Sequence, residues 1–396
     1  MKEHYSRSHN MTFEYADRIK RLPPYLFAEI EKTIKEKKAQ GIDLISLSIG
    51  DPDLPPPPFV VEALKQETAD VKNHNYSFSQ GEPDFRQAVS GWYKKRFNVD
   101  LQQDQVVALL GSKEGIANIA RAFVNPGDHV LVPDPAYPVY ANGSTILCDG
   151  KAVSMPLLEK NNFRPDFDKI DSKNAKMMFI NYPNNPTAAI VDKRFLKEAV
   201  DFAKDNNIML CYDNAYSEIT YDGYRAPSIL EIGGAMDVAI EFHSLSKTFN
   251  MTGDRIGFAV GNRTLVAGLT KVKSQIDSGP PVYTQKVAVK ALASYTSAEA
   301  PLFLKKNNQI LQERRDLLVD TLCKIGYQCE KPKATFYVWV NCKGDSMKFA
   351  AKLLDAGVAV TPGVGFGKFG EGYARITFTQ PKERIVEACE RIANAF

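Results

Sequence analysis

Between about residues 60 and 300 the chain alternates short apolar runs with amphipathic patterns. The runs QVVALLG (105–111), HVLVP (129–133), KMMFIN (176–181), IMLCYD (208–213), DVAIEFH (237–243) and IGFAVG (256–261) predict strands. Between them, Ile116, Ile119, Ala120 and Phe123 recur at helical spacing, as do Phe195, Leu196, Ala199, Phe202 and Ala203. Each set predicts a helix with one buried face. Strands that are apolar along their whole length and alternate with such helices predict a mostly parallel sheet covered on both sides.

The pattern changes toward the C-terminus. TFYVWV (335–340), VAVTPG (358–363) and YARITFT (373–379) read as strands, with helical patterns near 303–324, 346–356 and 381–394. This predicts a smaller α+β unit. The first 55 or so residues predict one helix, on Phe27, Ile30 and Ile34, and then an extended stretch ending in GDPDLPPPP (50–58). The basic run KEKKAQG (35–41) reads as that helix's solvated face. The proline run is stiff and suits a crossing between domains. The expected fold class is therefore α/β. Its large domain spans residues 59–299, and a small domain combines residues 1–58 with 300–396.

Composition narrows the function classes. With 44% hydrophobic and 24% charged residues the 396-residue chain is an ordinary globular one. A net charge of +3 gives no field that would argue for nucleic acid or an acidic membrane surface. No stretch approaches the ~18 apolar residues that span a bilayer. The opening MKEHYSRSHN is polar, with no apolar core of a secretory signal, and Met11 would serve equally as a start. Six cysteines are scattered without a C-x-x-C, which predicts reduced thiols and a cytoplasmic location. Five scattered histidines suggest no metal site.

The unusual residues fall at strand ends. Ser112 stands between a strand and a helix, where it either caps the helix or helps the free N–H groups hold an anion. Asn185 follows a strand in YPNNPT, which is also ordinary turn chemistry. Asp213 ends an apolar strand, either as a helix cap or as a buried carboxylate in need of a partner. Lys247, in HSLSKTFNMTGDRIG, follows another strand, where most lysines would be surface charges. All four lie past the carboxyl ends of expected parallel strands, which is where open α/β sheets bind ligands. An anion cradle, an amide, a carboxylate and a lysine followed by Arg255 are the inventory that pyridoxal phosphate needs.

The strings SLSKTFNMTGDRIG, YPNNPT, YDNAY, GDPD and YARITF, at these separations, resemble the class I/II aminotransferases of the fold-type I pyridoxal-phosphate superfamily. The resemblance runs from about residue 20 to the end. It implies that Lys247 holds the cofactor as a Schiff base and later shuttles the substrate proton. Asp213 would keep the pyridine nitrogen protonated. Tyr216 and Asn185 would bond the ring's 3′ oxygen, and Tyr137 would stack on the ring. Ser112, the backbone N–H of Lys113, Ser244 and Arg255 would surround the phosphate. Tyr76 would reach the phosphate of a neighbouring subunit, which implies a homodimer with shared sites. Arg375 would grip the substrate α-carboxylate beside the backbone of Gly50, with Lys113 and Tyr25 as candidates for the distal end of the substrate. Within the family the strings look most like LL-diaminopimelate aminotransferases, which exchange the amino group with 2-oxoglutarate in lysine synthesis. Bacterial alanine aminotransferases share GSKEG, so alanine, aspartate or aromatic donors stay open, as does a lyase or decarboxylase on the same fold.

Two departures from the family pattern stand out. Asp254 occupies a position that is usually bulky and apolar, and there it could compete with the phosphate for Arg255. Ala188 stands where glycine is usual, with little effect expected because Asn185 is retained. GFGKFG (365–370) mimics a dinucleotide fingerprint, but it leads into a strand, whereas that fingerprint opens a helix. A close loop beside Arg375 is expected instead. A DNA-binding regulator would need a module that the ~20 residues before the resemblance cannot hold.

Overall fold

The computed structural model describes residues 13–396, so the reading of Met11 as a start lies outside the described residues. The N-terminal segment has two helical pieces where one was expected, a single turn at Asp17–Lys20 and the helix Leu26–Ala39. Ile34 is buried against Leu44 and Ala359, with Ile30 partly covered. The side chain of Phe27 lies outside the described residues. A short strand β1 (Ile45–Ser46) follows, and the proline run ends where Pro58 opens the helix Pro58–Ala69. Proline suits that first helical position because its missing N–H would be unpaired there anyway.

The central sheet contains seven strands: β2 (Val106–Leu109), β3 (His129–Asp134), β4 (Lys151–Pro156), β5 (Ala175–Asn181), β6 (Met209–Asp213), β7 (Ala239–Ser244) and β8 (Gly257–Gly261). Their order is β2-β8-β7-β6-β5-β3-β4, and every pair is parallel except the two that β8 makes. Alternate residues of a strand face opposite sides, and the packing follows. Val106, Ala108, Met178, Ile180, Leu210 and Tyr212 enter one core. Val107, Leu109, Met177, Phe179, Cys211 and Phe242 enter the other. The expected helices Ser112–Phe123 and Lys193–Asp205 cover the sheet, burying Ile116, Ile119 and Ala120 and, respectively, Phe195, Leu196, Ala199 and Ala203.

Strand β4 was not legible in the sequence. It is an edge strand in which only Met155 is fully buried, so KAVSMP carries no apolar signal. The C-terminal part adds β9 (Tyr337–Asn341), β10 (Val358–Ala359), β11 (Thr361–Pro362) and β12 (Tyr373–Thr377). Strand β12 runs antiparallel between β11 and β9, and β10 pairs in parallel with β1. Helices Leu302–Lys324, Ser346–Asp355 and Lys382–Ala395 pack around them. No helix among the described residues is long and apolar enough to cross a membrane.

Candidate active site

The carboxyl edge of the sheet opens into a cavity of about 380 Å³. Strand direction decides who reaches it. β2, β5, β6 and β7 all point their carboxyl ends at this edge, delivering Ser112, Asn185, Asp213 and Ser244 with Lys247. The reversed β8 starts there, so Arg255, two residues ahead of it, arrives at the same edge from the opposite direction. The cavity is also lined by Tyr25, Gly50, Lys113, Tyr137, Tyr216 and Arg375. All the expected site residues thus converge except Tyr76, which is 95% exposed and lies outside the cavity.

Asp213 sits at the base. Its Oδ2 accepts a 2.7 Å hydrogen bond from the Tyr140 hydroxyl, while its Oδ1 is buried without a hydrogen-bond partner. Burial pushes this carboxyl up to about 6, against the pull of the Tyr140 hydroxyl. The strand end is held by Asn181, whose Nδ2 donates to the Asp213 carbonyl at 2.8 Å. Asp213 is therefore a buried carboxylate facing the cavity.

Lys247 stands on the short helix Leu245–Thr248, whose N-cap Ser244 accepts from the Ser246 amide at 3.2 Å. Its Nζ donates to the Gly50 carbonyl at 3.0 Å. Burial lowers its pKa to about 8, with Arg375 and Arg255 adding to the effect and Asp51 opposing it. Gly50 has to be glycine here, since any Cβ would run into the ring of Tyr337.

Arg255 donates to the carbonyls of Thr252 (2.8 Å) and Leu110 (2.9 Å). Gly111 makes room for it: φ is +80° and a Cβ would lie 2.5 Å from Arg255 Nη2. Gly111 also takes the N-cap position of the helix that follows, so Ser112 is its first residue and not its cap. The Ser112 hydroxyl is thereby not needed as a cap, and Ser112 and Lys113, the first two residues of that helix, line the cavity, where N–H groups without intrahelical partners suit an anion. Asp254 does not pair with Arg255. It is half-buried with its pKa raised by burial, and the expected competition for the guanidinium is absent.

Arg375 is buried, with Nη1 donating to Asn185 Oδ1 and Nη2 to the Ser48 carbonyl, each at 2.7 Å. Its guanidinium lies over the rings of Tyr337 (4.3 Å) and Phe366 (4.7 Å). Phe366 belongs to the GFGKFG segment, which forms two tight turns beside Arg375 as expected. The Tyr216 hydroxyl lies 2.8 Å from that of Tyr337. Tyr137 meets Tyr140 edge-on, with ring centroids 6.2 Å apart, and Lys113 Nζ lies over the rings of Tyr25 and Tyr137. Sequence reasoning missed Tyr140, Tyr337, Ser48 and Asn181. The aromatic-rich strings PDPAYPVY and TFYVWV contain the two tyrosines, but nothing local marks either as facing a site.

Ala188 sits at φ +58°, in the left-handed region that favours glycine. The backbone there keeps a conformation that favours glycine and bears the strain of a Cβ, while Asn185 still reaches Arg375.

An amine with a depressed pKa, a buried carboxylate, an anion-binding corner and an arginine together suit chemistry on an amino acid. Comparison with known proteins agrees. The family Aminotransferase class I and II matches residues 42–392. The chain is 51% identical over 389 residues to the LL-diaminopimelate aminotransferase of Desulforudis audaxviator, covering 96% of this chain and 98% of that one. Identity to the enzyme of the same name from Aquifex aeolicus is 50%, covering 96% and 99%. Substrate-bound BacF from Bacillus subtilis superposes with a TM-score of 0.90 at 36% identity, covering 97% and 98%. Aspartate aminotransferase from Thermus thermophilus with maleate gives 0.90 at 27%, covering 97% and 100%. With the family pattern spanning nearly the whole chain and its strand-end residues gathered in one cavity, this protein is a member of the class I and II aminotransferases.

Proposed function

We propose that the chain uses pyridoxal phosphate to move an amino group between LL-diaminopimelate and 2-oxoglutarate. The observation that carries the cofactor reading is the unpartnered Asp213 Oδ1 at the floor of a cavity that also holds Lys247 Nζ. A buried carboxylate oxygen without a donor is costly, and a protonated pyridine nitrogen is the donor that this site would accept. Ser112, Ser244, Arg255 and the backbone N–H of Lys113 would hold the phosphate, Asn185 and Tyr216 the 3′ oxygen, and Tyr137 the ring face. When bound, the cofactor supplies an electron-poor ring that stabilises negative charge at the substrate Cα. Asp213 keeps the ring nitrogen protonated. Lys247 Nζ would take the proton from the substrate Cα and, from the same side of the site, give it back as the amino group is transferred, and its depressed pKa suits a base working near neutral pH. Arg375 pairs with the α-carboxylate through its planar fork, held in place by Asn185 and Ser48.

The donor reading rests on the full-length similarity to LL-diaminopimelate aminotransferases. A homodimer with shared sites fits the exposed Tyr76 and Phe78, with Tyr76 reaching a neighbour's phosphate. We read residues 59–299 as the large unit and residues 1–58 with 300–396 as the small one, a division supported by the separate sheets. Six free cysteines suit a cytoplasmic setting.

Purified enzyme tested with 2-oxoglutarate and LL-diaminopimelate, alanine, aspartate or an aromatic amino acid should turn over LL-diaminopimelate best, at least tenfold above the others in kcat/KM. Preference for alanine would replace the donor reading and leave the aminotransferase intact.

A further inference from the structure

The anion-binding corner depends on Arg255, whose backbone is held in a strained conformation. Arg255 sits at φ +52°, in a region that residues with a side chain keep only where their surroundings hold them. Its guanidinium is anchored on the carbonyls of Thr252 and Leu110. Thr252 belongs to the same loop, so Leu110, directly after β2, is the anchor that ties Arg255 to the sheet.

Leu110 is held in turn by a carboxylate. Its amide donates to Glu114 Oε2 at 3.2 Å. Glu114 is the third residue of the helix Ser112–Phe123, whose N-cap is Gly111. An acidic residue at that position ordinarily bonds back to the amide of the cap itself. Here it reaches one residue further, to the residue whose carbonyl holds Arg255. The carboxylate is itself locked: Asn118 Nδ2 donates to Oε1 at 2.6 Å, and Lys273 Nζ donates to Oε2 at 2.8 Å. Lys273 is fully buried and also bonds both carboxylate oxygens of Asp277, at 3.1 and 2.9 Å. Neither Glu114 nor Lys273 lines the cavity.

We propose that Glu114, locked by Lys273, is a positioning residue for the cofactor phosphate: it fixes the Leu110 peptide, and through the Leu110 carbonyl it fixes the Arg255 guanidinium. The inference rests on the proposed cofactor. Charge and position pull in opposite directions here, which gives the role a distinct signature. Removing a carboxylate near an anion site favours the anion electrostatically. Releasing Leu110 instead frees Arg255 from the geometry that suits a phosphate.

The test titrates cofactor-depleted enzyme with pyridoxal phosphate and with pyridoxal, the same ring without the phosphate, and reads binding by absorbance without turnover. Wild type should bind pyridoxal phosphate more tightly than pyridoxal. Glu114→Ala should cut that preference by about tenfold, with the affinity for pyridoxal unchanged. Lys273 keeps Asp277 in this variant, so no buried ammonium is stranded. Glu114→Gln, which retains an acceptor oxygen for the Leu110 amide, should keep most of the preference. Denaturant midpoints and the pyridoxal affinity report any general loss of structure. The inference is overturned, with the cofactor reading intact, by any of three results: a preference unchanged or raised in Glu114→Ala, both affinities falling by the same factor, or Glu114→Gln losing as much as Glu114→Ala. If wild type binds neither compound, the cofactor reading falls and this inference falls with it.

Discussion

Lys247 and Asp213 are both shifted toward their neutral forms, and burial is the main cause for each. With its pKa at about 8, Lys247 is neutral in about one molecule in ten at pH 7, against about three in ten thousand for an ordinary lysine. Asp213 has a consequence for stability before any cofactor is bound. Its folded pKa of about 6 lies above the usual carboxylate value of 3.8, so the folded protein holds a proton that the unfolded chain has released. Its contribution is fully present below pH 3.8 and is lost as pH rises through 6, by at most about 3 kcal/mol. Cofactor-free protein should therefore lose stability between pH 4 and 6, and Asp213→Asn should flatten that slope. Denaturant midpoints across the range measure it, and an unchanged slope in the variant would assign the loss to other groups. Neither position was legible alone, since a lysine there reads as a surface charge and an aspartate as a cap; they became legible together with Ser112 and Asn185 at neighbouring strand ends and through the family resemblance. Tyr140 was not legible, because it reaches Asp213 from 73 positions away with no local signature.

At the scale of elements, the turn after β5 combines a site residue with a strained neighbour. Asn184 Oδ1 accepts from the amide (2.9 Å) and hydroxyl (2.7 Å) of Thr187, and the Ala188 amide donates to the Asn184 carbonyl at 3.0 Å. This closed turn fixes Asn185 under Arg375 and leaves Ala188 no alternative to φ +58°. Ala188→Gly should stabilise the protein by about 1 kcal/mol. An increase in denaturant midpoint at unchanged kcat/KM is the expected result, because the Asn185 side chain does not depend on the Cβ of residue 188. The sequence indicated which elements exist better than how they end. The β2 helix start looked capped by Ser112, yet Gly111 takes the cap because the Arg255 guanidinium occupies the space a side chain would need. Such a displacement comes from a residue 144 positions further on, which no local pattern contains.

At the scale of the molecule, the N-terminal segment threads into the site and is anchored on its far side. Arg314, from the helix Leu302–Lys324, grips Asp53 with two bonds of 2.7 and 3.0 Å. Upstream, the same segment offers the Ser48 carbonyl to Arg375 and the Gly50 carbonyl to Lys247. Asp53→Ala would leave Arg314 buried without its partner, at a cost of about 3 kcal/mol. It should also lower kcat/KM by about tenfold for every amino donor alike, because Gly50 and Ser48 lose their anchor. Equal loss across donors separates this positioning effect from a change in specificity, and a loss confined to one donor would argue against it. This arrangement was legible only in outline. The stiff proline run suggested a crossing, but the ion pair that secures it joins residues 261 apart.

The reversed direction of β8 bears on how this site can vary. Because β7 runs toward the cavity and β8 runs away from it, the connection between them is an excursion that leaves and returns at one edge. Ser244, Lys247 and Arg255 all ride on that single loop, whereas Ser112, Asn185 and Asp213 each come from a separate crossover. An insertion after β5 or β6 would move one group and spare the rest. An insertion between 244 and 255 would break the spacing of the amine and the anion-binding corner together. The loop behaves as one cassette, free to change its surface composition but not its length.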